Sequence, residues 1–83
     1  MKEEILFFCA PWCRPCKQIK EMLTKSIRDE LNLKIIDIAE NMEIAANYQV
    51  MAVPTFVVLN DDKEVARKSG ATTIDDLRNM YNT

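Results

Sequence analysis

The chain contains no histidine. That absence removes mechanisms built on a histidine base and sites that need an imidazole ligand. Cysteine is scarce as well. Three residues, an odd number, do not make the paired framework of a small secreted domain. Long apolar runs are missing: Val50 to Leu59 holds a proline and a threonine, and falls short of the ~18 residues a membrane span requires. Nor is there a surplus of charge of one sign. Eleven basic against thirteen acidic residues give a net charge of −2, which argues against nucleic acid as the main partner. The start, Met1-Lys2-Glu3-Glu4, is too acidic for a signal or transit peptide, and Ile5 to Ala10 is too short for a signal's apolar core. A cytoplasmic, thiol-reducing setting with no membrane partner is expected. There, a close pair of cysteines is catalytic or metal-binding more often than structural.

What remains is ordinary globular composition, 48% hydrophobic and 29% charged over 83 residues. That length suits one domain, 1–83, burying only about 60% of the surface its unfolded chain exposes. Ile5 to Cys9 is a short continuous apolar run and reads as a strand covered on both faces. Ala10-Pro11-Trp12 breaks it. A helix is expected from near Cys13 to about Arg28, with Pro15 in its first turn, where a missing N–H costs little. Ile19, Met22, Leu23, Ile27 and Leu31 form its apolar stripe, and Lys17, Lys20, Glu21, Lys25 and Arg28 its wet side. Leu33 to Ile38 reads as a second strand. Asn41 caps a short helix from Met42 to about Tyr48. Pro54 stands at the entrance of a central strand, Thr55 to Leu59. Asn60 to Lys63 is a turn, and Glu64 to Lys68 a hairpin partner with one wet face, ended by Gly70. Thr72 caps a last helix, whose first turn carries Asp75 and Asp76 and whose buried stripe is Ile74, Leu77, Met80 and Tyr81. The order is βαβαββα, an α/β fold with a four-stranded mixed sheet flanked by helices.

The informative segment is Trp12-Cys13-Arg14-Pro15-Cys16-Lys17. Two cysteines three apart at a strand-to-helix junction can close a small disulfide ring. The first lies at the helix N-terminus, where unpaired N–H groups and the macrodipole favour an anion. Such a site lowers a thiol pKa from ~8.5 toward ~7 or below. Arg14 and Lys17 add positive charge that pushes the same way. Cys13 is the candidate nucleophile, expected to face solvent, and Cys16 the candidate resolving thiol.

At this point the chain resembles the thioredoxin superfamily. Ala10 to Lys17 is similar to its active-site run, Val53-Pro54-Thr55 to its cis-proline loop, and Ser69-Gly70-Ala71 to its substrate-facing glycine. The resemblance covers essentially the whole chain, although the first strand and helix of full-length thioredoxins have no counterpart. It implies a minimal thioredoxin fold and a thiol–disulfide oxidoreductase that reduces protein disulfides through a Cys13/Cys16 dithiol–disulfide cycle. It implies no bound cofactor, a monomer, and an electron donor of thioredoxin-reductase type or one linked to glutathione. Residue by residue, Trp12 packs on the substrate and Val53 offers its backbone to an extended target segment. Pro54, expected cis, keeps the loop against the sulfurs, and Gly70 leaves space beside them. Three positions depart from the family pattern. Arg14 stands where glycine is usual. Phe7 occupies the place of the buried acid thought to accept the proton of the second cysteine. The lysine that partners that acid aligns near Leu33, with Lys34 one place off.

Other readings compete. Half of a zinc site lacks a second pair of ligands. Cys9, Cys13 and Cys16 have a radical-enzyme cluster spacing without the barrel such enzymes need. A [2Fe–2S] cluster shared between chains is disfavoured by Pro15 and Pro54. A glutathione-dependent, glutaredoxin-like reductase and a non-catalytic binding module of the same fold are the alternative functions. Cys9 reads as core filler, the five methionines as core, Asp61-Asp62 as a solvated turn, and Tyr48 as packing between helix and sheet.

Overall fold

The computed structural model describes residues 3–81. The chain runs β1 (Glu3–Cys9), α1 (Arg14–Met22), α2 (Lys25–Leu31), β2 (Leu33–Asp37), α3 (Met42–Asn47), β3 (Thr55–Asn60), β4 (Lys63–Ser69) and α4 (Ile74–Tyr81). The sheet order is β2-β1-β3-β4, with β1 parallel to β2 and the other neighbours antiparallel. The apolar runs in β1 and β3 thus mark the two interior strands, buried on both faces.

Alternation along the strands divides the core into two layers. Ile5, Phe7, Cys9, Phe56 and Val58 face Ile19 of α1, Leu31 of α2 and Leu77 of α4. Leu6, Phe8, Val57 and Leu59 face α3 through Ala45, and Tyr48 lies tilted on Phe8 at a centroid distance of 5.8 Å. Tyr48 therefore packs between helix and sheet as expected. Asp61 and Asp62 both have positive φ, 52° and 69°. That is the two-residue hairpin turn whose twist matches the strands, and acidic residues tolerate it well. Among the described residues no helix is long and apolar enough to cross a membrane.

Four expectations are corrected. The single helix from Cys13 to about Arg28 is two helices. Leu23 leaves helical backbone (φ −87°, ψ 80°), and Thr24 starts α2 by accepting the Ile27 N–H at 3.3 Å. The threonine before Lys-Ser-Ile was the signal for a second N-cap. The break lets Leu23 and Leu31 both reach the core while Met22 faces solvent. The methionines are not all core: Met22, Met42 and Met51 are exposed, and Met1 lies outside the described residues. Asn41 holds the N-cap position of α3 as expected, but its side chain makes no capping hydrogen bond; its amide donates backwards to the Asp37 carbonyl at 3.0 Å. The cap of α4 is Thr73, whose hydroxyl accepts from the Asp76 N–H at 3.1 Å, while Thr72 is buried.

Candidate functional site

The C-terminal end of β1 delivers the chain to Cys13 through a turn closed by the Cys13 N–H on the Ala10 carbonyl, 3.1 Å. Cys13 is the N-cap of α1, in extended conformation, and its Sγ accepts the Cys16 N–H at 3.3 Å. Pro15 sits in the first turn, where no N–H is needed. Cys13 and Cys16 are disulfide-bonded, with Cα atoms 5.3 Å apart. Cys16 is fully buried and Cys13 is only 7% exposed, so the expectation of a solvent-facing Cys13 does not hold in the oxidised form. Its sulfur is turned toward Cys16, and both join the cluster beneath α1.

Trp12, in contrast, is 72% exposed, so it is not part of the core. Arg14 and Lys17 are exposed, and no ion pair or hydrogen bond engages either side chain among the described residues. The first turn of α1 carries no acidic residue, whereas that of α4 carries Asp75 and Asp76. Positive charge there is the wrong sign for a helix dipole, so helix stability does not account for it.

The Val53–Pro54 bond is cis. Pro54 is buried, and Val53 packs against the cluster that holds both sulfurs. The Gly70 N–H donates to the Pro54 carbonyl at 2.9 Å, tying the loop before β3 to the loop after β4. Thr55 Oγ1 reinforces this junction, donating to the Ala52 carbonyl at 2.7 Å and lying 3.1 Å from Ser69 Oγ. Gly70 has φ +95°, and a Cβ built there would meet nothing within 4 Å. Backbone conformation, not crowding within the chain, is what requires glycine.

Behind the sulfurs the core is apolar. Phe7 is fully buried and stacked on Phe56, centroids 4.7 Å apart and planes 13° from parallel, in the cluster that contains Cys16. The nearest acid–lysine pair on these strands, Glu4 with Lys34 at 3.0 Å, belongs to the opposite face, because Glu4 alternates with Leu6 and Phe8. Asp37 accepts the Ala39 N–H at 2.8 Å, and Glu21 is exposed. Cys9 is buried in the same cluster as the pair, as the core-filler reading expects, and donates weakly to the Ile36 carbonyl at 3.6 Å. Burial pushes its thiol pKa up, Lys20 opposes this by charge and by hydrogen bonding, and Asp37 adds to it.

Comparison with known proteins agrees with this geometry. The Thioredoxin family model matches residues 1–83. Thioredoxin of Bacillus subtilis is 40% identical over 78 residues, spanning 90% of this chain and 75% of that protein. Monothiol glutaredoxin-4 of Schizosaccharomyces pombe is 40% identical over 74 residues, 84% of this chain but 30% of that protein. The structure of Fasciola hepatica thioredoxin superposes with a TM-score of 0.84 at 36% identity, covering 98% of this chain and 79% of that one. The chain belongs to the thioredoxin family and, with Cys13 bonded to Cys16 at the head of α1, is a thiol–disulfide oxidoreductase of the thioredoxin type.

Proposed function

We propose that Cys13 is the nucleophile and Cys16 the resolving thiol of a cycle that reduces protein disulfides. The observation that carries this assignment is the position of Cys13 as N-cap of α1, with its sulfur on the Cys16 N–H. In the reduced protein that N–H and the helix end favour a thiolate at Cys13. The thiolate attacks one sulfur of the target disulfide; the S–S bond breaks and the departing target thiolate takes a proton. Cys16 then loses its proton and attacks Cys13 Sγ. The mixed disulfide breaks, the second target thiol leaves, and the Cys13–Cys16 bond forms. Two electrons and two protons have passed to the target, and a reductase-type donor restores the dithiol.

Trp12, Met51 and the backbone of Val53 form the target-binding surface. Trp12 is exposed at the cysteines, Met51 is 93% exposed on the loop before Pro54, and Val53 precedes the cis bond. Pro54 and Gly70 fix that loop. Arg14 and Lys17 hold unneutralised positive charge at the helix end and support the thiolate. The protein acts without a bound cofactor, as one domain and one monomer, in a thiol-reducing compartment such as the cytoplasm. The charge balance supports neither nucleic acid nor a membrane as partner.

The decisive assay is turnover on a protein disulfide with two electron sources. NADPH with thioredoxin reductase should sustain reduction. Glutathione with glutathione reductase is the second reading's donor; its support is the 74-residue match to a protein named monothiol glutaredoxin-4, over 30% of that protein's length. Turnover with glutathione alone would replace the first reading by the second.

A further inference from the structure

We propose that Arg67, on β4, is the positioning residue of the target-binding loop. The inference rests on the reading of Val53 as the residue that receives the target backbone. Helix α3 ends at the C-cap Tyr48, and the chain then needs only residues 49–53 to reach Pro54. Carbonyls at a helix end have no partner within the helix. Arg67 reaches across from the outer strand to the carbonyl of the C-cap residue and to that of the residue after it. Its Nη2 donates to the Tyr48 carbonyl at 2.6 Å, and its Nη1 lies 3.5 Å from the Gln49 carbonyl. Its Nε and Nη2 also grip Glu64 in a two-pronged contact, both at 2.8 Å.

An exposed pair three residues apart contributes little to stability. Here, however, Glu64 holds the guanidinium flat in one orientation, and a planar fork so held keeps its remaining N–H groups aimed. Cation and helix C-terminus are also matched in sign. Gln49 turns the chain with φ +53° at the point of contact. At the other end of the loop stand the Gly70 N–H on the Pro54 carbonyl and the Thr55 hydroxyl on the Ala52 carbonyl. Strand β4 thus supplies Arg67 to one end of the loop, and the chain leaving it supplies Gly70 to the other. Met51 projects between these anchors, almost fully exposed. A target segment adding its backbone to Val53 needs the loop already in place, since ordering it on binding subtracts from affinity.

The test uses Arg67→Ala and Arg67→Lys in the full chain, with insulin as protein disulfide and hydroxyethyl disulfide as small one. Arg67→Ala should raise KM for insulin by about three- to tenfold, with kcat within about twofold, and Arg67→Lys should recover part of that. Reduction of hydroxyethyl disulfide, which needs no loop, should stay within about twofold. Amide exchange at Met51 and Val53 should quicken by about tenfold in Arg67→Ala and less in Arg67→Lys. Unchanged exchange, or an equal loss on both substrates, overturns the proposal. Failure of the wild type to reduce insulin would sink the oxidoreductase reading instead, and the exchange rates would still decide the role of Arg67.

Discussion

Replacing Phe7 by aspartate puts a carboxyl where the resemblance to thioredoxins implies one, and the structure sets the consequences. Phe7 is fully buried and stacked on Phe56. Removing a buried phenylalanine ring costs about 3–5 kcal/mol. Burying a carboxyl without a hydrogen-bond partner adds about 1–3 kcal/mol. The sum approaches the whole stability of a chain this size, about 4–12 kcal/mol at 0.05–0.15 kcal/mol per residue. Burial raises the folded-state pKa of the new acid above its unfolded value of about 3.9. The penalty is therefore smallest below pH 4 and grows as pH rises toward the folded-state pKa. Urea unfolding at pH 4.5 and pH 8, followed by circular dichroism, should show Phe7→Asp losing more at pH 8. Where it remains folded, the carboxylate should accept the Cys16 proton and speed resolution of the mixed disulfide by about tenfold near pH 7. Phe7→Leu, apolar and without a base, should not. Wild-type stability for Phe7→Asp at both pH values would refute the packing argument. Equal resolution rates in all three proteins would mean that another group serves as base, with Asp37 and Glu21 first to test.

Other outcomes follow from the same geometry. Burial raises the Cys9 thiol above its ordinary value, so the neutral form stabilises the fold fully below the unfolded pKa of about 8.5. That contribution fades as pH rises through the folded value; the stability gap between wild type and Cys9→Ala should narrow above pH 9, and a gap constant to pH 10.5 would exclude it. Gly70→Ala should cost about 1–2 kcal/mol through its positive φ with no added clash, so a denaturation midpoint equal to wild type would contradict the backbone argument. Arg14→Gly should move the pH midpoint of Cys13 alkylation upward by well under one unit, because an exposed cation is screened by salt and solvent. A downward shift would show that the side chain does not act by charge.

The fold was legible where burial decides it. Continuous apolar runs placed β1 and β3 inside the sheet, and the Cys13–Pro15–Cys16 spacing placed the pair at a helix start. Helix ends were less legible, because several polar residues compete for each cap. Thr73 rather than Thr72 took α4, and Thr24 split the long helix although its apolar stripe continued through Leu23 and Ile27. Methionine misled for a related reason: Met42 and Met51 lie on a short helix and a loop whose exposure depends on neighbours distant in sequence. Arg67 gave no signal either, since its contacts to Tyr48 and Gln49 cross 19 and 18 residues. Of the candidate site, the cysteine pair and the cis proline could be read from motifs, and the roles proposed for Trp12 and Gly70 rest on those same motifs. The near burial of Cys13 could not be read from them, because it depends on how the oxidised pair packs against the cluster beneath α1.

The central claim is that Cys13 attacks and Cys16 resolves, and trapping tests it most directly. Reduced wild type, Cys13→Ser and Cys16→Ser should each be mixed with a protein disulfide at pH 7 and analysed by intact mass and peptide mapping. Cys16→Ser should accumulate a covalent adduct to the target, mapped to Cys13, because the thiol that would release it is gone. Cys13→Ser should form no adduct at a comparable rate and show no turnover. An adduct mapped to Cys16 or Cys9, or near wild-type reduction by Cys13→Ser, would contradict the assignment.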